Sequence, residues 1–458
     1  MTQLFGTNGI RGIVNREMTS ALALHAGMAW GSLLKIETER PVILIGTDAR
    51  ISNDMLKTAM SSGFLSVGCD VVDVGLVPTP SLQYAVKTRE YDGGVIITAS
   101  HNPPEFNGIK GVDHEGVELY KQMEEAIEQR YFTKDFEPVT WDQVGHYFRW
   151  EDAVVHHIQG VLNLVDAKLI QKQHFHVVLD CGHGAGSVMA PHLLQKLGCT
   201  VTEVFCSPDG RFPGRHSEPI PEHLTQLRKT VSQENNVVFG IAQDGDADRA
   251  IFIDEQGTFI PGDQSLTLLG KQEVQIKKGG ICVTPVTTST SFEETITKHG
   301  GKVITCKVGS PAVARVMLRH HAILGGEENG GLIYPQLQHC RDSFITIAKM
   351  LELLAKEQRP LSTLIKELPR YHVFKIKLPC PNHKKQHVME SFVEAIKKDT
   401  DILRIDETDG VKLFVHNGWV IIRPSGTEPI FRVFAETKDA QQSKTLAIHY
   451  KVALEDHM

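Results

Sequence analysis

The sequence predicts an α/β protein: three repeated mixed α/β domains plus a C-terminal α+β domain, set around one central cleft. Three observations carry that expectation. A strand–helix–strand pattern recurs three times, a polar loop of different chemistry ends each repeat, and the pattern changes after Pro369.

The first unit opens on PVILIG (41–46), continues through a helix-period stretch to CDVVDVG (69–75), and closes on GGVIITAS (93–100). The second begins at FHVVLDCGHGAG (175–186), passes CTVTEVF (199–205) and closes on VVFGIAQDGDADR (237–249). The third runs from GGICVTPV (279–286) through KVITCKVG (302–309) to AILGGEENGG (322–331). Short β-branched runs alternating with helix-period segments indicate α/β layering with largely parallel strands. Gly68, Gly198 and the pair Gly300-Gly301 stand where the first helix of each unit needs a left-handed C-cap. Ligands of open parallel sheets gather beyond the carboxyl ends of the strands. Three closing loops in register therefore point to three domains facing one cleft. The tail, with YHVFKIKLP, VKLFVHNG, WVIIRPSG and FRVFAET, reads as an antiparallel sheet with one helix before it and one after. The domains are placed at 1–150, 151–255, 256–368 and 369–458.

Composition narrows the function. The 458 residues carry 48 basic and 55 acidic side chains, a net charge of −7. Nucleic acid is thereby disfavoured as a partner, since a phosphate backbone requires a basic face. No apolar run approaches the ~18 residues that span a membrane, and the N-terminus lacks a signal pattern. The eight cysteines are scattered without a C-x-x-C pair, so reduced thiols in a cytoplasmic protein are expected. Any metal should take oxygen ligands.

In DGDADR, Asp244, Asp246 and Asp248 alternate with small residues, and in an extended loop they would converge. Three clustered carboxylates call for a cation, and Mg²⁺ suits hard oxygen ligands. A calcium loop of the EF-hand type is excluded, because Arg249 occupies the position that requires glycine and strands flank the loop. Arg249 would either neutralise the aspartates or clamp a phosphate. RPSGTEP (423–429) reads as a phosphate cradle, with Arg423 at its mouth and hydroxyls and backbone N–H groups from Ser425, Gly426 and Thr427. Gly326–Gly331 reads by itself as a glycine-rich acidic turn whose Glu327 and Asn329 have the chemistry to bind sugar hydroxyls. Gly182-His-Gly-Ala-Gly186 suggests a dinucleotide fingerprint, but Ser187 replaces its last glycine, which leaves a tight turn.

Ser100 ends an apolar run and sits in no G-x-S-x-G elbow, and His101, its chain neighbour, should point away. A serine hydrolase is therefore poorly supported. The serine can instead carry a phosphate, with a divalent cation and arginines to stabilise it. Lys110, placed after an Asn107-Gly108 turn, would transfer protons if desolvation lowers its pKa.

TASHNP, DGDADR, GEENGG and RPSGTEP, together with the opening FGTNGIRG, resemble in order the signature segments of the α-D-phosphohexomutase superfamily. The resemblance implies a four-domain enzyme that interconverts hexose 1-phosphate and hexose 6-phosphate. It places the phosphoserine on Ser100, the Mg²⁺ ligands on Asp244, Asp246, Asp248 and the serine phosphate, and phosphate contacts on Arg423, Ser425, Gly426 and Thr427. Sugar contacts fall on Glu327 and Asn329. Arg11, His101, Lys110 and Arg249 surround the transferring phosphate, and a hexose 1,6-bisphosphate is implied as intermediate and activator. Asn329 and Gly331 depart from the serine and histidine of many relatives. Ser310, in the loop that helps choose the sugar, replaces a histidine or aspartate. Phosphoglucosamine mutase and a broad phosphomannomutase/phosphoglucomutase are both compatible. A sugar-phosphate-binding protein without turnover would be expected to have lost one of these residues, and none is missing.

Overall fold

A computed structural model describes residues 4–6, 9–397, 400–426 and 428–458. Its first three sheets share one plan. In the first, Val42–Thr47 pairs in parallel with Asp70–Leu76 on one side and Gly93–Ile97 on the other. Phe106–Asp113 then returns antiparallel along Gly93–Ile97. In the second, His176–Asp180 lies between Thr200–Val204 and Val237–Gln243, with Ala250–Asp254 antiparallel beyond. In the third, Gly280–Pro285 lies between Gly301–Cys306 and Leu324–Gly326, and Leu332–Ile333 returns. The first three signature loops are thus each the link from a third parallel strand to an antiparallel fourth. The fourth sheet is wholly antiparallel and contains His372–Pro379, Arg404–Asp406, Val411–Val415, Gly418–Pro424 and Ile430–Thr437.

Local chemistry accounts for the helix ends. Thr19, Ser289, Asp342 and Asp439 each accept a backbone N–H at a helix start, satisfying donors that have no partner within the helix. Gly68, Gly198 and Gly300 have φ of +87°, +75° and +87°, the left-handed conformation expected of them.

The Asn107-Gly108 turn is not formed, which corrects the sequence reading. Both residues lie inside the strand Phe106–Asp113, which has neighbours on both edges. Asn107 instead donates through Nδ2 to Ser52 Oγ and Asn53 Oδ1, both at 2.8 Å. Gly108 is required by a close approach, since a Cβ there would lie 2.5 Å from Ile10 O.

The apolar cores divide the molecule unevenly. One continuous cluster runs from Ile158 to Leu368 and joins the second and third units through the helix Ser343–Glu357. The C-terminal unit has a core of its own, and meets the third through a patch of Val286, Trp419 and Ile421. Among the described residues no helix is long and apolar enough to cross a membrane.

Candidate active site

Ser100 is buried in the link after Gly93–Ile97, with φ of +48°. Its N–H donates to Thr98 Oγ1 at 2.9 Å, and its Oγ donates to Asp244 Oδ2 at 3.0 Å. Arg50, which the sequence reading missed, holds this link from below. Its guanidinium donates to the carbonyls of Ser100 (3.0 Å), Asn102 (2.6 Å), Pro103 (2.7 Å) and Phe106 (2.7 Å), and to Asp48 Oδ2 (3.2 Å).

Asp244, Asp246 and Asp248 converge, with ligand atoms within 4.8 Å of one another, and all three are buried. They meet because the chain turns tightly, with Ala247 at φ +57°, rather than by the alternation of an extended loop. The turn is braced from two sides. Ser343 Oγ donates to Ala247 O at 2.7 Å and receives Gln243 Nε2 at 2.6 Å. Ala185 N–H donates to Gly245 O at 2.9 Å. A Cβ at Gly184 would lie 2.6 Å from Gly245 O, and one at Gly245 would lie 2.4 Å from Ser100 O. Gly184 of GHGAG therefore lets its loop pack closely on the aspartate turn, and Gly245 lets that turn close on the serine link.

The carboxylates are partly compensated by cations. Lys110 Nζ donates to Asp246 at 3.1 Å and Asp248 at 3.5 Å. Arg341, also missed in the sequence, bridges Asp248 at 2.6 Å and Glu327 at 2.8 Å. Arg249 Nε lies 3.5 Å from Asp244 and 3.7 Å from Asp248. Thr79 Oγ1 donates to Asp246 at 2.7 Å. Burial, then Asp248 and Asp246, hold Asp244 well above the usual carboxylate range. Against burial, Lys110 and Thr79 keep Asp246 below it. Lys110 does not have the lowered pKa expected of it, because Asp246 and Asp248 outweigh its desolvation and raise it.

His101 does not point away from Ser100. The positive φ of Ser100 breaks the alternation, and His101 Nδ1 lies 3.4 Å from Ser100 Oγ and 3.3 Å from Arg249 Nη2. Burial and then the Arg249 and Arg11 charges push its pKa down to about 2. Among the described residues no carboxylate hydrogen-bonds to its other ring nitrogen, where a triad would need one, so no hydrolase triad forms. Arg11 Nη1 donates to Asn102 Oδ1 at 2.9 Å.

The acidic turn is a fit place for a hard cation. Asp246 Oδ1 and Asp248 Oδ1 are buried without a hydrogen-bond partner, and an unpartnered buried carboxylate oxygen is costly.

Glu327 Oε1 accepts the Gly309 N–H at 3.1 Å, and Asn329 Nδ2 lies 3.5 Å from Glu327 Oε2. Ser310 begins the helix Ser310–His320, and its Oγ donates to Glu118 Oε1 at 2.9 Å. Arg423, at the end of Gly418–Pro424, pairs with Asp409 at 3.0 Å. Ser425 does not turn its N–H outward as a cradle would need, because that group donates to Ile430 O at 2.9 Å. Its carbonyl and that of Glu428 receive Lys385 Nζ at 2.7 and 2.6 Å. Gly426 is exposed, and Thr427 lies outside the described residues. Ser100, His101, Lys110, Arg249 and the aspartates thus form one cluster. Glu327 joins it through Arg341, whereas Arg423 and Ser425 sit in a separate loop of the C-terminal unit. Arg50 was findable, since TDAR follows a first strand as the signature loops follow closing ones. Arg341, alone in HCRDSF, gave no such signal.

Four family descriptions match the chain in succession: phosphoglucomutase/phosphomannomutase alpha/beta/alpha domain I over 2–138, domain II over 155–257, domain III over 261–371, and the C-terminal domain over 376–448. The chain belongs to the phosphoglucomutase/phosphomannomutase family. A phosphoglucomutase/phosphomannomutase of Thermococcus kodakarensis is 45% identical over 97% of this chain and 96% of its own. A phosphoglucosamine/phosphogalactosamine mutase of Sulfurisphaera tokodaii is 39% identical over 99% and 100%. Among solved structures, a family member from Burkholderia thailandensis superposes with a TM-score of 0.90 at 25% identity, covering 100% of this chain and 98% of the other.

Proposed function

We propose that this enzyme interconverts hexose 6-phosphate and hexose 1-phosphate by two phosphoryl transfers through Ser100, acting first on glucosamine phosphates. The observation that carries the reading is the Ser100 hydroxyl 3.0 Å from Asp244, at the mouth of a buried three-carboxylate turn with two unpartnered oxygens.

In the first transfer, the free hydroxyl of a sugar monophosphate attacks the phosphorus of phosphoserine 100. The new P–O bond to the sugar forms as the P–Oγ bond breaks, the sugar hydroxyl loses its proton, and the serine oxygen gains one. The resulting hexose 1,6-bisphosphate turns over within the cleft, and its other phosphate returns to Ser100 by the reverse chemistry. Asp244, Asp246, Asp248 and the serine phosphate would hold Mg²⁺, which supplies charge neutralisation of the transferring phosphoryl oxygens. Arg249 and Arg11 orient those oxygens. Lys110, 3.1 Å from Asp246 and 3.5 Å from Asp248, serves as the proton-transfer group. Neutral His101 keeps its lone pair against the serine hydroxyl. Arg423, with Ser425, Gly426 and Thr427, anchors the phosphate that does not react. Glu327, Asn329 and Ser310 address the sugar ring. Cytoplasmic residence fits the eight free thiols.

A second reading, a broad phosphoglucomutase/phosphomannomutase, is favoured by the 45% identical relative of that name. Rates on glucosamine, glucose and mannose 6-phosphates, with a catalytic trace of the matching bisphosphate, separate the two. Ser100→Ala should abolish turnover on all three. Near-normal mutase activity in that variant would refute the assignment.

A further inference from the structure

Two of the contacts between the C-terminal unit and the third unit are of opposite character. One is buried and apolar. Trp419 and Ile421 pack on Val286, and Glu436 Oε1 receives both Trp419 Nε1 (2.8 Å) and Thr290 N–H (2.8 Å). The other is half-buried and polar. Asp409 Oδ2 accepts Val308 N–H of the third unit at 3.1 Å and Arg423 Nη1 of its own unit at 3.0 Å.

These places lie along one strand, Gly418–Pro424. Residues 419, 421 and 423 share a face of it, so Arg423 projects on the side that meets the third unit. Trp419 and Arg423 are four steps apart along the strand, roughly 13 Å. The apolar end has the character of a fixed pivot and the polar end that of a contact able to open. Asp409 is itself held firmly. Gly410 has φ +73°, and a Cβ there would lie 2.3 Å from Ile422 O and 2.9 Å from Arg423 Cα, so the Asp-Gly corner is pressed against the strand end that bears the arginine.

The contacts form a continuous chain from the aspartate turn. Asp248 binds Arg341, Arg341 binds Glu327, and Glu327 binds Gly309 N–H. Next to Gly309, Val308 N–H binds Asp409, which binds Arg423. We propose that Asp409 is a positioning residue that orients Arg423 for the non-reacting phosphate and latches the C-terminal unit onto the 307–310 loop when the cleft is closed. The proposal rests on the mutase reading for its kinetic consequences, but not for the latch. One carboxylate oxygen serves both donors, so the ion pair inside the C-terminal unit and the contact to the third unit share a single acceptor. A carboxylate against a guanidinium also holds it in the direction in which it would meet a phosphate.

Two variants separate the parts. Asp409→Asn keeps a neutral acceptor for Val308 and loses the ion pair, whereas Asp409→Ala loses both. Backbone hydrogen exchange over 307–310 should quicken about ten-fold in Asp409→Ala and remain as in the wild type in Asp409→Asn, with strands 411–415 and 418–422 unchanged in both. In the mutase assay, KM for glucosamine 6-phosphate should rise about ten-fold in both, more than kcat falls. Adding either change to Arg423→Lys should cost less than two-fold further, because the two residues act as one. Unchanged exchange in Asp409→Ala overturns the latch, and multiplicative effects with Arg423→Lys overturn the positioning role. A wild-type enzyme without activity on any hexose phosphate would refute the mutase reading, while the exchange result would still decide the latch.

Discussion

Replacing Arg50 by Met would keep an unbranched side chain but remove the guanidinium that supports the serine link and whose carbon lies 5.1 Å from the Phe212 ring centre. The change strips Asp48 of its cation and four carbonyls of their donor, all within a buried site. Breaking a buried ion pair by deleting one partner costs about 3–5 kcal/mol. A domain is stable by about 5–15 kcal/mol, so the chain should remain folded and the cost should fall on the link. At about 1.4 kcal/mol per factor of ten, a loss of 3 kcal/mol depopulates the productive arrangement of Ser100 by roughly two decades. kcat/KM for hexose 6-phosphate should therefore fall by at least about 100-fold, with faster hydrogen exchange confined to residues 98–106. Activity within three-fold or so of the wild type, with unchanged exchange there, would show that the four carbonyl contacts do not place the serine.

Two further outcomes follow from single groups. Gly245→Ala would put a Cβ 2.4 Å from Ser100 O, so the serine and aspartate links must separate; turnover should be lost in a variant whose thermal unfolding stays near that of the wild type, and retained activity would contradict the contact. Lys412 is buried beneath Trp419 and donates to Val286 O, and burial lowers its pKa to about 8. Between pH 8 and its ordinary value of 10.5 the unfolded chain binds a proton that the folded chain has released, so the wild type should gain stability on Lys412→Met as pH rises through that window, by at most about 3 kcal/mol. Urea midpoints of the two proteins that stay parallel from pH 8 to 10 would contradict this.

The repeat was legible because each unit writes its parallel strands as β-branched runs and ends its first helix on glycine. The serine and aspartate loops were legible because neither fits a core, and the structure buries all three carboxylates. Other features were hidden for physical reasons. Leu332–Ile333 is too short a return strand to show a period. Asn107-Gly108 carries a turn signal, but strands on both sides override it. His101 was misjudged because only the folded chain reveals the positive φ of its neighbour. Arg341 and Asp409 take their meaning from partners in other units, Asp248 in one case and a backbone N–H in the other. The core shared by the second and third units did leave a trace, since SFITIAKMLELLAKE is apolar nearly all round, as a helix buried between two layers should be.

The mass of the intact protein tests the phosphoserine directly. After incubation with glucose 1,6-bisphosphate and Mg²⁺, the wild type should gain one increment of about 80 Da, located on Ser100 by fragmentation and discharged on adding hexose 6-phosphate. A fully active enzyme that never carries that increment, or carries it on another residue, would contradict the account.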